Sequence, residues 1–200
     1  MTKNFLQKNV IISLLVGLII LLDFVWSFVF LQFSSFISFV KLPLIIIFIS
    51  GFLLGFKSTF VICVFYNIWH IFRSFMKITI YYGSFELTNN EIILSLLLDY
   101  IFPDLIMSIS GLFFVSEKKT LDNKKIFFIL FIIIFLRHFS FYFSSCWIYA
   151  PKMIKQINEK NVYIWSFWYN LAKFFLNFIF SFFIIFYLKN KLKNLPEINK

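Results

Sequence analysis

The chain has 200 residues and a formal net charge of +10, and it is 61% hydrophobic but only 14% charged. A soluble domain is about half apolar and about a quarter charged, so this composition excludes a water-soluble globular protein. Aromatic residues make up 24% of the chain, which excludes intrinsic disorder, and we predict a protein that crosses a membrane several times.

Six apolar stretches follow one another along the chain, each about as long as one spanning helix requires. They show no alternation of apolar and polar residues, so helices rather than strands are predicted. The stretches cover residues 9–31, 36–56, 58–78, 92–115, 125–149 and 162–188. We therefore predict one all-α integral membrane domain over residues 1–200, with six transmembrane helices, short loops and no soluble domain.

The first two predicted helices carry small residues spaced four apart. Ser13-Leu-Leu-Val-Gly17 and Gly51-Phe-Leu-Leu-Gly55 follow a pattern that lets helices approach closely in a membrane. Either pair could serve packing within the chain, and Ser13 with Gly17 is the better candidate for docking another membrane subunit. The first stretch lacks a convincing small-residue cleavage site, so we interpret it as an uncleaved helix and not as a signal peptide.

Lysines between the stretches predict the orientation of the helices. Lys3 and Lys8 precede the first stretch, Lys57 separates the second from the third, and further lysines surround the fourth loop and follow the sixth stretch. The positive-inside rule places these segments, and hence both termini, in the cytoplasm, although Lys77 and the lysines of the fifth loop lie on the other side. Because most cations lie in loops, we expect contact with the lipid bilayer and no nucleic-acid partner.

Ionisable residues inside the predicted helices are costly and are functional candidates by default. They are Asp23, Lys41, His70, Arg73, Asp99, Asp104, Arg137, His138 and Lys173. Asp99 lies about 12 Å below the outer end of the fourth helix, and Arg137 about 18 Å below that of the fifth. An arginine side chain can bridge this difference, so we expect the two to pair. The pair could be purely structural, or Asp99 could also serve a ligand.

The surroundings of Asp99 favour a ligand. Pro103 removes the helical hydrogen bond to the Asp99 carbonyl, which is tolerable in a membrane only beside a cavity or another partner. Asn170 lies at nearly the same depth and suits either helix packing or recognition. Aromatic residues share this outer half, and some are too deep to be interfacial anchors: Tyr66, Trp69, Trp147, Tyr149, Trp165 and Tyr169. A carboxylate, an amide and aromatic rings together suit a planar cationic ligand.

No comparable pattern in the sequence supports a catalytic function. His70 and His138 lack metal-ligand spacing, so we interpret them as core histidines without a metal. The sequence contains no nucleophile elbow and no phosphate-binding glycine loop. We therefore expect no enzyme activity and no cofactor, and an ATP-driven function would need partner chains. Cys63 and Cys146 lie in apolar stretches, and we expect no disulfide between them.

These residues resemble the thiamine-specific S component of energy-coupling factor (ECF) transporters, the ThiT/YuaJ family. The likeness consists of six short helices, the small-residue motif of the first helix, Asp99-Tyr100, a basic residue in the fifth helix and Trp-Ser-Phe-Trp-Tyr-Asn in the sixth. It implies an S-component bundle in the bacterial plasma membrane that captures thiamine from outside. It also implies docking of the first helix on a membrane coupling subunit that two cytoplasmic ATPases drive.

The resemblance implies a ligand site residue by residue. Asp99-Tyr100 stands where the family has the Glu-Tyr pair that binds the aminopyrimidine, and Arg137 stands for the lysine that pairs with that carboxylate. Trp165 and Asn170 stand for the tyrosine and asparagine of the sixth helix. The family has two further aromatic positions, and this chain offers two neighbouring residues for each of them. These are Tyr66 and Trp69 in the third helix, and Tyr149 and Trp147 in the fifth.

Two departures from the family pattern keep the ligand open. Phe141 stands where the family has a histidine that bonds the hydroxyethyl end of thiamine, and Asp99 is one methylene shorter than glutamate. Three hypotheses follow. The chain binds thiamine, or it binds another small aromatic vitamin or a hydroxymethylpyrimidine precursor. The third is a non-transporting membrane assembly protein whose polar residues only lock helices together.

Overall fold

The computed structural model describes the backbone of residues 3–30, 41–84, 86–113, 123–157 and 161–192. Within these ranges the chain is helical and contains no strand, which confirms the predicted all-α class. The helices form six bodies, which we number in chain order. They are α1 (Lys3–Phe30), α2 (Leu42–Leu54), α3 (Phe56–Ser84), α4 (89–113), α5 (123–157) and α6 (Val162–Leu192).

Four of these helices contain segments that are long and apolar enough to cross a membrane. The segments are Leu6–Val25, Asn89–Leu112, Asn123–Lys155 and Val162–Leu188. Many large apolar side chains on the outside of the bundle are exposed, as a membrane protein requires and a soluble one avoids. Helix α2 is also apolar, but it has only 13 residues.

Helix α2 begins at Leu42, whereas the second predicted stretch begins at residue 36; residues 36–40 lie outside the described residues. The backbone of Lys41 is extended (φ −112°, ψ 101°), so the helix cannot continue through it towards the N-terminus. Pro43 occupies the first turn, where its missing N–H costs no helical hydrogen bond. At the other end Gly55 adopts a φ of 77°, which only glycine adopts readily, and α3 follows directly.

Helices α4 and α5 are each interrupted by a π-helical turn, Leu97–Ile101 and Ser145–Tyr149. In the wider π register the carbonyl of Leu98 would accept from residue 103, but Pro103 has no N–H. The Ser140 hydroxyl of α5 donates to this carbonyl instead, at 2.6 Å, and Asn67 Nδ2 of α3 donates to the Tyr100 carbonyl at 2.9 Å. Neighbouring helices thus hold the irregular part of α4 in place, and Asp99 lies within it.

The end of α4 is a 3₁₀ segment, Ile106–Phe113, that packs closely on α2 and on the start of α3. A Cβ atom added at Gly111 would lie 2.5 Å from the Cα of Phe56, and one at Gly51 would collide with Ser110. The Gly51–Gly55 motif therefore serves packing within the chain. On the other side of the bundle, phenylalanine rings join α5 to α6, with Phe131 and Phe174 edge to face at 5.4 Å.

Candidate functional site

Asp99 lies in the π-helical turn of α4, and three hydroxyl groups hold its carboxylate. Ser144 of α5 donates to Oδ2 at 2.8 Å, and Ser95 of α4 donates at 3.0 Å. The Tyr149 hydroxyl of α5 donates at 3.3 Å and also contacts the Ser95 hydroxyl at 2.7 Å. We call these four residues the Asp99 cluster.

The Asp99 cluster stabilises a carboxylate without adding positive charge. Ser95 and Ser144 are buried, whereas Asp99 and Tyr149 are half-buried, so the cluster lies at the edge of the packed interior. On α6, the Nζ of Lys173 lies 4.1 Å from the centre of the Tyr169 ring. The arrangement suits a positively charged group that approaches the carboxylate from the open side.

Arg137 pairs with Asp104 and not with Asp99, so the predicted Asp99–Arg137 pair is wrong. Its Nη1 lies 3.1 Å from Asp104 Oδ1 and donates to the carbonyl of Pro103 at 3.0 Å. The depth argument itself explains the error, because five further residues place Asp104 about 7 Å deeper than Asp99. That is the level at which Arg137 lies on α5.

Asp104 belongs to a buried ring of polar residues. His70 Nδ1 lies 2.7 Å from Asp104 Oδ2, and Lys41 Nζ lies 3.3 Å from His70 Nε2. The amide of Asn177 then connects the Lys41 end to His138, which follows Arg137 on α5. We call the six residues Lys41, His70, Asp104, Arg137, His138 and Asn177 the Asp104 ring.

The amino-acid pattern does not reveal the Asp104 ring. It suggests separate core histidines at His70 and His138 and indicates no partner for Asp104 or Lys41. The depth of its members could have indicated the ring, because His70 and Asn177 both lie midway along their helices, α3 and α6. The ring also contains Asn177, which the sequence analysis did not consider.

Three of the predicted ligand residues lie away from the Asp99 cluster. The ring of Tyr66 is buried and stacks on His70 with centres 5.5 Å apart, and Tyr100 packs on the same histidine at 5.0 Å. Trp69 donates its Nε1 to Asp23 of α1 at 3.1 Å. Tyr66 and Tyr100 are therefore neighbours of the Asp104 ring, and Trp69 ties α3 to α1.

The remaining predicted residues divide between the surface and the interior. Trp147 and Trp165 are 64% and 67% exposed, and Trp147 packs edge to face on Phe143 at 4.6 Å. Asn170 is buried, and its amide donates to the Ser166 carbonyl of its own helix at 2.9 Å. Of the nine predicted ligand residues, Asp99 and Tyr149 are the two that the described contacts join directly.

Ser95 and Ser144, which hold Asp99 most closely, were not among the predicted site residues. Ser95 lies four residues before Asp99, on the same face of a helix, and this spacing was the one readable signal. Ser144 lies on another helix, and only the packing of α4 on α5 brings it to the carboxylate.

Comparison with known proteins finds no matching family model, no matching curated protein and no matching solved structure. The resemblance to thiamine S components therefore stays a prediction from the residues quoted for it. Among the residues that the structure describes, no group of three or more His, Cys, Asp or Glu is placed to hold a metal ion. Cys63 and Cys146 are both free thiols.

The two small-residue motifs differ in their surroundings. Ser13 and Gly17 lie on the exposed face of α1, and a Cβ atom added at Gly17 would meet nothing within 4 Å. At Gly51, by contrast, α4 occupies the space that a Cβ atom would need. The face of α1 that carries Ser13 and Gly17 is thus not used for packing against the described parts of the bundle.

Proposed function

We propose that the chain is the substrate-binding S component of an ECF-type ABC importer and that the Asp99 cluster binds thiamine. The observation that carries this proposal is a carboxylate inside a segment that is long and apolar enough to cross a membrane, where three neutral hydroxyls hold it at the edge of the packed interior. A carboxylate at such a depth is costly, and such residues usually serve a ligand or an ion path.

The Asp99 cluster offers two features that suit thiamine. The three hydroxyls reach one oxygen, Oδ2, and so orient the carboxylate; the amino group of the pyrimidine would donate to the other oxygen. Tyr149 supplies an aromatic ring at the same site, and an aromatic face attracts the cationic thiazolium.

The proposal includes the membrane arrangement and the partners. The six helices cross the bacterial plasma membrane with both termini in the cytoplasm, and the Asp99 cluster lies in the outer half. The exposed face of α1 with Ser13 and Gly17 docks on a membrane coupling subunit. Two cytoplasmic ATPases supply ATP hydrolysis, and this chain itself catalyses no reaction.

One observation favours a smaller ligand as the second candidate. Phe141 occupies the position of the family's histidine, and its ring centre lies 5.2 Å from the guanidinium carbon of Arg137. A phenyl ring cannot form a hydrogen bond with the hydroxyethyl group of thiamine. A hydroxymethylpyrimidine lacks that group, so Phe141 would weaken its binding less than it weakens the binding of thiamine.

The Asp104 ring in turn favours the third hypothesis, an assembly protein, because it locks several helices together without a ligand.

Equilibrium dialysis of labelled thiamine against the purified protein tests the proposal. We expect saturable binding, and we expect Asp99→Asn to weaken it by about tenfold to about a hundredfold, as for loss of a hydrogen bond to a charged group. Glu91→Gln is the matched control, since it removes another carboxylate of α4 that pairs with Lys152 outside the cluster.

The competing hypotheses give different dialysis results. Displacement of thiamine by hydroxymethylpyrimidine with equal potency would identify the precursor as the ligand. Absence of saturable binding, together with unchanged folding of Asn170→Leu, would support the assembly protein. Binding that Asp99→Asn leaves unchanged would remove Asp99 from the site.

A further inference from the structure

Helix α2 begins in the middle of the bundle, inside the Asp104 ring. Its first turn follows Lys41, whose backbone N–H donates to Asn177 Oδ1 at 3.2 Å and whose Nζ contacts His70. Both partners lie midway along their helices. The Asn177 side chain thus caps the N-terminus of α2, whose own N-cap side chain forms no hydrogen bond with the helix.

The hydrogen-bond directions around Asn177 are fixed by its partners. The Lys41 N–H can only donate, so it faces Oδ1, and Nδ2 donates to the Lys173 carbonyl at 2.8 Å. Nδ2 also faces His138 Nε2 at 3.5 Å, so this nitrogen is the acceptor of the imidazole. The proton of neutral His138 therefore resides on Nδ1.

Two hydrogen-bond donors of the ring are buried and have no partner among the described residues. They are Nδ1 of His138, which is 6% exposed, and Nη2 of Arg137, which is 1% exposed. Buried polar atoms are nearly always hydrogen-bonded, so each requires an acceptor. Asp104 does not serve as that acceptor, because Arg137 reaches it through Nη1 and not through Nη2, and its other donors are His70 and Asn67.

The ring also carries a surplus of positive charge. His70 donates from Nδ1 to Asp104 and accepts at Nε2 from the Lys41 ammonium, which is the pattern of a neutral imidazole. With Lys41 protonated, the ring contains two cations, Lys41 and Arg137, and one carboxylate, Asp104. Buried charges need to be paired, so one further negative charge would balance the ring.

We propose that the Asp104 ring binds a small anion of single negative charge beside Arg137 and His138. Arg137 Nη2 and His138 Nδ1 donate to the anion, and Lys41 supplies the balancing charge. A halide ion and the carboxylate of a small solute share this chemistry. The site is separate from the Asp99 cluster, and it stands whether or not thiamine binds there.

Thermal unfolding of the purified protein, followed by tryptophan fluorescence, tests this proposal with three sodium salts at equal ionic strength. Bromide represents the halides, formate represents the carboxylates, and gluconate is too bulky for a buried ring. We expect a saturable rise in unfolding temperature with bromide, formate or both, relative to gluconate. Equal shifts with all three salts, or shifts that never saturate, would overturn the proposal, because general salt effects behave in that way.

Variants of the ring locate the effect. His138→Phe removes one donor but keeps an aromatic ring against Phe174, and we expect its half-saturating anion concentration to rise by about tenfold. Lys41→Met removes the balancing charge and should abolish the saturable shift. Lys57→Met, at an exposed position, is the control and should behave as the wild type. Unchanged anion dependence in both ring variants would contradict the assignment.

Crystals grown in bromide provide a readout that does not depend on the folding of any variant. The proposal predicts an anomalous peak within hydrogen-bond distance of Arg137 Nη2 and His138 Nδ1. If bromide has no effect in solution, the same position should hold formate. Water alone at this position in both crystals would refute the site.

Discussion

Asp99 and Asp104 lie five residues apart on α4, but their carboxylates have different partners. Asp104 is fully buried between Arg137 and His70, so a permanent cation and an imidazole fix it on two sides. Asp99 is half-buried, and the hydrogen bonds that it accepts within the described part of the chain come from hydroxyl groups. Charged groups of the chain thus pair with Asp104, whereas Asp99 is the carboxylate that we propose to receive a cation from outside the chain.

The largest effect should come from a change to the buried carboxylate of Asp104. Asp104→Asn leaves the charge of Arg137 buried and uncompensated, and we expect it to lower the free energy of unfolding by about 3 to 5 kcal/mol. The loss should appear as a lower unfolding temperature or as aggregation during purification in detergent.

A double variant shows whether this loss comes from the unpaired charge. Asp104→Leu combined with Arg137→Met removes both charges with apolar side chains of similar length, so much of the stability should return. If the double variant is as unstable as Asp104→Asn, the pair is not the reason for the loss.

A smaller effect is expected at the π-helical turn that presents Asp99. Ser140→Ala removes the hydroxyl that bonds the Leu98 carbonyl, and an unsatisfied buried carbonyl costs about 1 to 3 kcal/mol. Chemical or thermal unfolding measures the change, and Ser145→Ala is the control because Ser145 bonds only a carbonyl of its own helix. Equal stability of the two variants would show that Ser140 does not support the turn.

The smallest effect should come from one hydroxyl of the Asp99 cluster. Ser144→Ala removes the shortest of three hydrogen bonds to Asp99, and we expect about fivefold to tenfold weaker thiamine binding with little change in stability. Dialysis and unfolding on the same sample separate the two quantities. A variant that binds as the wild type does would show that the hydroxyl does not orient the carboxylate for the ligand.

The sequence predicts the helical architecture well because apolar length alone determines it. Each of the six predicted stretches falls on one of the six helical bodies within the described residues. The start of α2 was missed because apolar length alone does not show it, although Lys41 and Pro43 interrupt the stretch and Pro43 is typical of the first turn of a helix. The extended backbone at Lys41 reflects its contacts with His70 and Asn177, which lie far away in sequence.

The site was harder to predict than the fold. The aromatic character of the outer half correctly includes Tyr149 as a neighbour of Asp99. Arg137 was assigned to the wrong carboxylate because its side chain was expected to bridge a difference in depth, whereas Asp104 lies at its own level. Serines carry no charge and are common in the chain, so nothing marks Ser144 before α4 and α5 are packed together.

The most direct test compares the unfolding temperatures of wild-type and Asp99→Asn protein, with and without a saturating concentration of thiamine. The account predicts that Asp99→Asn is about as stable as the wild type without ligand, because no cation loses its partner. It also predicts that thiamine raises the unfolding temperature of the wild type only. A variant that is destabilised as strongly as Asp104→Asn, with no effect of thiamine on the wild type, would contradict the account.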